Sequence, residues 1–348
     1  MNYIGSKHSL LPFIEEVFLR EVGPGRERVV CDLFAGTGAV GRLFKRLGHR
    51  VIANDLQYYA FVLNKAYLGI DHPPAFAALQ IEFAGEFARR GEPEPVPRTL
   101  AFTGALRPRR GFIAKNYSPI GGRLYYTADN ARRADAIRGS LERWRRRELL
   151  TEDEYFYLLC SLLEAIDQVA NTASVYGAFL KKFKASALRP LTLRPLALTN
   201  HVTGCRIHQR DANELIGEIE CDLLYLDPPY NHRQYGANYH VLETIAAYDA
   251  PALKGVTGMR DYPRSRYCRA GEAADALEDL VRRARAKHIL LSYNDEGLLS
   301  LKVVARILGL RGTPRTFQRK YARFKADNGR EYKRSATVEY LHYVRVTR

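Results

Sequence analysis

Residues 221–230, CDLLYLDPPY, run from a mainly apolar stretch into a carboxylate, two prolines and an aromatic ring. A short apolar run bounded by turn formers reads as a core strand of a parallel sheet. Proline fixes φ and carries no N–H, so Asp227-Pro228-Pro229-Tyr230 ends the strand and stiffens the turn beyond it. A rigid carboxylate, a backbone carbonyl and a ring at one strand end form a geometry suited to holding a reactive group.

Two other segments have the same form. RVVCDLFAG (28–36) and RVIANDL (50–56) are apolar runs that stop on Asp or Asn. Between them, TGAVGRLFKRLGH places Val40, Leu43, Phe44 and Leu47 at helical spacing, with Gly48 as the stop. This makes a β-α-β unit. HILLSYNDE (288–296) predicts a fourth strand, GLLSLKVVARILGL a helix ending at Gly309, and VEYLHYVRV (338–346) a further strand. Alternation of this kind predicts an α/β fold around an open, mainly parallel sheet, which binds ligands at the carboxyl ends of its strands.

Residues 71–200 break the rhythm. They open with DHPPAF, contain the proline-rich GEPEPVPRTL, and include a strong helix pattern in EDEYFYLLCSLLEAIDQVAN. The expected organisation is a catalytic domain from 1–70 and 201–348, with 71–200 as a largely helical insertion for target recognition.

The 348 residues are 46% hydrophobic, enough for a substantial core, and carry a net charge of +16. That charge is regional. Residues 107–147 hold twelve Lys and Arg against three acids, and residues 311–334 hold nine against two. Such patches suit a polyanion. Arg143, Arg145, Arg146 and Arg147 flank Trp144; Arg315, Arg319, Lys320, Arg323 and Lys325 interleave with Phe317, Tyr321 and Phe324. Both segments are candidates for phosphate contact, with solvated charge as the plainer reading. No signal-like start and no run of eighteen apolar residues is present, so a cytoplasmic protein without membrane attachment is expected. The five cysteines have no C-x-x-C spacing, which predicts free thiols, and no metal-ligand pattern occurs.

The chemistry lies at the strand ends. In DLFAGTGAVG (32–41), Gly36 and Gly38 allow a tight turn and close approach of a ligand. The spacing is F-x-G-x-G, which favours a cofactor without phosphates. Asp55 closes the next strand, where an acid commonly accepts hydrogen bonds from ribose hydroxyls. At Asp227 and Pro228, a carboxylate and a carbonyl can accept the two N–H groups of an exocyclic amine and aim its lone pair. Tyr230 would stack on the base, an interaction of about 1–3 kcal/mol.

In combination and order, NYIGSKHSLLPFI (2–14), DLFAGTGAVG, ANDLQYYAFVLNKAYLG (53–69), DPPYNHRQYGANYHVLETIA (227–246) and ILLSYNDEG (289–297) resemble the D12 class of adenine-specific DNA methyltransferases. That group includes Dam-like enzymes and type II modification methylases. GRLYYTADNARRADAIR and VANTASVYGAFLKKFKASAL are similar to its FokI-type members. The resemblance implies a Rossmann-like class I methyltransferase fold and transfer of methyl from S-adenosylmethionine to adenine N6, leaving S-adenosylhomocysteine, without a metal. It implies that Tyr3, Gly5, Lys7, Asp32, Phe34, Gly36, Gly38, Asp55, Asp211 and Asp227 surround the cofactor. Lys7 as a solvated lysine and Asp211 as a helix N-cap stay open as alternatives.

Catalysis falls to Asp227, Pro228, Pro229 and Tyr230. The partner is double-stranded DNA, its adenine flipped out of the stack, and the expected role is the modification enzyme of a restriction-modification system, its endonuclease acting separately, or a solitary methylase. Arg233, Tyr235 and Tyr239 are candidates for the base pocket and nearby backbone. RNA adenine or DNA cytosine-N4 methylation, and a nucleic-acid-binding protein without activity, remain rivals.

Overall fold

The computed structural model describes residues 5–89, 92–199, 202–322 and 336–347. The chain forms two compact units. One is built from Ile4–Asn64, Thr199–Gly236 and Pro263–Arg348, the other from Lys65–Leu198 and Ala237–Tyr262.

The first unit holds a seven-stranded sheet: β1 (Val29–Asp32), β2 (Arg50–Asn54), β3 (Arg206–His208), β4 (Glu220–Leu226), β5 (Arg285–Asn294), β6 (Arg315–Ala322) and β7 (Ala336–Arg345). Their order is β3-β2-β1-β4-β5-β7-β6. The first five run parallel, and β7 inserts antiparallel between β5 and β6. The predicted strands are all present. β3 and β6 are additions: three residues are too few for a periodic signal, and the alternation of β6 is masked by its arginines.

The central strands β1, β2 and β4 are largely apolar and buried, as strands covered on both faces are. Leu223, Leu224 and Leu226 of β4 are fully buried. Asp222, near the amino end of β4, accepts the Val29 N–H at 2.9 Å and pairs with Lys287 at 2.6 Å. It therefore joins β4 to both neighbours. The predicted helix after β1 spans Ala39–Arg46, and Gly48 comes just after it with φ +84°. The strand order reverses between β1 and β4, which places the ligand crevice of such a sheet at their carboxyl ends.

The second unit is helical. Its longest helices are Ala128–Arg146 and Glu152–Gln168. Thr127 caps the first, and Thr151 and Glu154 form a reciprocal capping box on the second. Asp135 reaches from the longer helix to accept the N–H groups of Gly111, Ile113 and Ala114, closing the start of the helix Phe112–Tyr117.

Residues 237–262, which the sequence expectation places with the strands, belong to this unit. The physical reason is Arg138. It is 1% exposed and donates to the carbonyls of Ile245 and Ala246, satisfying the end of the helix His240–Ala247. The same arginine also meets the hydroxyl of Tyr155 at 3.1 Å.

Trp144 is buried between Phe102, at 5.8 Å between ring centres, and Phe83, at 6.0 Å. It is the only tryptophan of the chain. Its emission should therefore track unfolding of the helical unit alone. Trp144→Ala should destabilise that unit by about 3–5 kcal/mol, measured by circular dichroism in urea.

Candidate active site

The site is assembled at the carboxyl ends of β1, β2 and β4, with contributions from β5, β7 and the segment before the first helix. Lys7, expected either as a cofactor contact or as a surface lysine, is 4% exposed. Its ammonium pairs with Asp227 at 2.8 Å and with Glu339 of β7 at 3.3 Å. It lies 5.5 Å from the centre of the Tyr230 ring. The surface reading is thus excluded. Burial alone would lower the Lys7 pKa, but the charges of Asp227 and Glu339 raise it well above the usual lysine range.

Asp227 is pulled in two directions. Burial raises its carboxyl, Lys7 lowers it and Glu339 raises it again, leaving it at about 6. It is therefore mostly ionised at neutral pH and still a better base than a solvated aspartate. Tyr230 packs edge-on against Tyr293 of β5, and its carbonyl accepts the Leu298 N–H at 2.9 Å. The residue is thus held through one edge of its ring and through its backbone. Gly5 is held at φ +79°, and a Cβ there would meet the Tyr235 hydroxyl at 2.6 Å. Only glycine lets the amino-terminal segment pass so close.

The Gly-rich turn is equally constrained. Gly36 and Gly38 have φ of +51° and +73°. Asn64 donates to the Gly36 carbonyl at 3.0 Å, and a Cβ on Gly38 would meet its oxygen at 2.6 Å. Asp55 accepts the Gly36 N–H at 2.8 Å and the Gln57 N–H at 2.9 Å. The Leu56 N–H also bonds this carboxylate, and a carboxylate offers about four lone-pair directions, so one remains for a hydroxyl donor. Asn54 ties the strand ends together, donating to the carbonyls of Leu33 and Arg210 and accepting the Arg210 N–H. Phe34 packs edge-on against Tyr267 at 5.1 Å.

Asp32 is 1% exposed, and its Oδ2 accepts the Gly41 N–H at 3.1 Å while its Oδ1 has no hydrogen-bond partner within the described protein. Burial, followed by the charge of Asp227, pushes this carboxyl up to about 8. The left-handed glycine turn, the remaining lone-pair direction of Asp55 and the unpartnered oxygen of Asp32 fit a nucleoside ligand. Asp211, by contrast, caps the short helix Ala212–Leu215 through Oδ1, which receives the N–H groups of Asn213 and Glu214.

The residues expected to meet DNA divide into different environments. Tyr239 is fully buried beside Tyr176, so its ring is a core group and the sequence expectation for it is corrected. Arg145 lies 4.5 Å over the Tyr155 ring, and Arg147 pairs with Glu82. Arg143 and Arg146 are exposed and share a neighbourhood with Arg109. Partial burial, followed by the like charges of Arg109 and Arg146, lowers the Arg143 pKa. Arg319 pairs with Glu16 at 3.0 Å and lies over Phe13, while Lys320 and Arg233 are exposed. Tyr3 and Arg323 lie outside the described residues.

Glu339, Asn54, Asn64 and Ser292 are structural members of the site that motif reading does not find. Glu339 had one signal, a charged residue in an otherwise apolar and aromatic strand. The others had none, because their partners are backbone groups or side chains distant in sequence.

A mainly parallel seven-stranded sheet with one antiparallel inserted strand, and acids at the ends of its central strands, defines the class I methyltransferase fold. Residues 3–307 match the family described as D12 class N6 adenine-specific DNA methyltransferase, and the chain belongs to that family. It is 45% identical to the type II methyltransferase M.NlaIII of Neisseria lactamica, with all of both chains covered. It is 39% identical to the type II methyltransferase M.FokI of Planomicrobium okeanokoites, over 99% of this chain and 52% of the relative. It is 37% identical to the modification methylase StsI of Streptococcus sanguinis, over 88% of this chain and 46% of the relative. The chain thus spans the whole of the first relative and about half the length of the other two.

The carboxyl of Asp32 gives a pH test. In the unfolded chain it titrates near 3.9, as an ordinary aspartate does. Between about pH 4 and about pH 8 the folded chain holds a proton that the unfolded chain lacks, so stability falls as pH rises through that window. Asp32→Asn should therefore melt at a higher temperature than the wild type near pH 8. That advantage should vanish near pH 4, as read by calorimetry at the two pH values.

Proposed function

We propose that the chain transfers a methyl group from S-adenosylmethionine to the N6 of adenine at specific sites in double-stranded DNA, as the modification enzyme of a restriction-modification system whose endonuclease acts separately. The observation that carries this reading is Asp227. It opens Asp227-Pro228-Pro229-Tyr230 at the end of β4, is anchored by a buried lysine, and belongs to the same sheet end as the left-handed glycine turn after β1. Membership in an adenine-specific family and similarity to proteins named as type II and modification methylases support it.

Asp32, Phe34, Gly36, Gly38 and Asp55 would hold the cofactor, with Asp55 open to a ribose hydroxyl and the unpartnered Asp32 oxygen open to a polar group of the ligand. When bound, the cofactor supplies an activated methyl: the amine lone pair forms the new N–C bond as the S–C bond breaks and sulfur keeps its electron pair. Asp227 and the Pro228 carbonyl accept the two N–H groups of adenine, turning the nitrogen lone pair toward the methyl. Tyr230 stacks on the base, which must be flipped from the duplex for a few kcal/mol. The nitrogen then carries a surplus proton, and the Asp227 carboxylate, poised near 6, receives it. Positioning supplies much of the rate, because the donor arrives activated.

The protein incubated with methyl-tritiated S-adenosylmethionine and unmethylated genomic DNA should yield labelled N6-methyladenine after digestion. Asp227→Ala should lower the rate by about 100-fold or more, the effect of losing a positioned transition-state partner. Label confined to RNA or to cytosine, or no label at all, would overturn the reading.

Of the cations expected to meet DNA, Arg143 and Arg146 are candidates for phosphate contact, since both are exposed and Arg143 has the like charges of Arg146 and Arg109 near it. The double variant Arg143→Ala/Arg146→Ala should weaken DNA binding across sequences and reduce the slope of log K against log salt by about 2. Arg147→Ala, which removes an exposed ion pair with Glu82, should leave that slope close to the wild-type value when measured by fluorescence anisotropy.

A further inference from the structure

Glu339 is a carboxylate in the middle of β7, fully buried, opposite Asn294 of β5 in the antiparallel register. Its side chain accepts a short hydrogen bond from the Ser292 hydroxyl and lies 3.3 Å from the Lys7 ammonium. Lys7 in turn lies 2.8 Å from Asp227. Ser292, Glu339, Lys7 and Asp227 therefore form one chain of contacts from the antiparallel part of the sheet to the end of β4. No motif assigns Glu339 a role.

We propose that Glu339 is a positioning residue for methyl transfer, acting through Lys7 to keep Asp227 a strong hydrogen-bond acceptor.

The physical case rests on sharing one cation between two carboxylates. Were Lys7 paired with Asp227 alone, its N–H groups would occupy the aspartate lone pairs and drain their charge. Adenine would then meet a weakened acceptor. With Glu339 drawing the ammonium the other way, Asp227 keeps electron density for the N–H groups of the amine. The Ser292 hydroxyl fixes the glutamate carboxylate, so the ammonium has a defined second anchor.

A buried carboxylate is expensive unless paired, and a fold seeking stability alone would balance Lys7 with a single acid. The second acid has a use only if the charge state of the first matters. Among the described residues, the groups facing this chain include Tyr225 from β4, Tyr230 and Glu296 from the loops after β4 and β5, and Asp32 from β1. The two tyrosines are raised by burial and stay neutral around pH 7. Asp32, raised to about 8, is largely protonated there. Asp227, at about 6, titrates between acidic and neutral pH.

This inference rests on the methyl-transfer reading, and one experiment separates the two. Single-turnover methylation of duplex DNA would be measured from about pH 5 to about pH 9 for the wild type, Glu339→Gln, Glu339→Asp and Ser292→Ala. Activity needs the Asp227 carboxylate, so the wild-type rate should rise as pH passes about 6. Removing the neighbouring negative charge lowers the Asp227 pKa. In Glu339→Gln the acid limb should therefore move down by about half a pH unit or more.

The plateau rate should fall roughly 10-fold, because a less basic carboxylate is a poorer acceptor. KM for DNA should stay within about 2-fold, since Glu339 has no contact with the duplex in this scheme. Glu339→Asp should recover part of the rate, and Ser292→Ala should shift the limb in the same direction by less. A purely structural role would lower the melting temperature and leave the limb in place, and that result overturns the proposal. So does a profile that superimposes on the wild type. If Glu339→Gln does not fold, Ser292→Ala decides in the same way. A wild type that puts no label on adenine overturns the functional reading and this inference together; an active wild type with an unmoved limb in the variants overturns this inference alone.

Discussion

The site depends on taking one ammonium and two carboxylates out of water together. Lys7 is buried against Asp227 and Glu339, groups brought from the amino-terminal segment, the end of β4 and the middle of β7. Neither acid could be buried ionised by itself without a penalty of several kcal/mol, and the lysine would lose its proton in an apolar pocket. Only the folded sheet gathers the three, so the chemistry and the topology are one constraint. The antiparallel β7 matters here because it carries Glu339 past β5 at the level where Ser292 can hold it.

Around that cluster the strand ends are locked by backbone contacts. Asn54 joins the turn after β1 to the loop after β3, Asn64 closes over the glycine turn, and Asp55 holds the Gly36 N–H. These bonds fix the carboxyl ends of three strands before any ligand arrives. A site whose rate comes from positioning needs such support, because an error of about 1 Å can lose two orders of magnitude. The proline pair plays the same part beyond β4, where φ is fixed by covalent structure and the Tyr230 ring is wedged against Tyr293.

Much of this was legible in the sequence. Apolar runs ending on Asp32, Asn54-Asp55 and Asp227 placed the central strands, since burial on both faces leaves no room for polar alternation. Residues whose role is local, such as Gly36, Gly38 and the prolines, were legible for the same reason: their covalent geometry determines what the chain can do nearby. Groups defined by distant partners were not. Glu339 looks like a surface acid until Lys7 and Ser292 are brought to it. Tyr239 looks like part of a polar loop, although the helix it precedes is capped by Arg138 and packs in the helical unit. Asp211 shows the local case again, for its carboxylate caps its own helix.

The basic segments show why a charge count leaves a docking surface undefined. Residues 107–147 hold twelve cations, yet Arg138 is a buried cap for two carbonyls, Arg145 covers a tyrosine ring, and Arg147 faces an acid. Among the described residues, Arg143 and Arg146 have only neutral partners, the Ser140 hydroxyl and the Glu142 carbonyl, and Arg143 has the like charges of Arg109 and Arg146 near it. Like charges gathered on a surface raise the free energy of the unbound chain, and a polyanion relieves that repulsion on binding. A cation already satisfied by a carbonyl or carboxylate gains far less from a phosphate, since it must first give up what it has. The partners an arginine already has therefore bear on the proposed phosphate contact more directly than the net charge of the segment does.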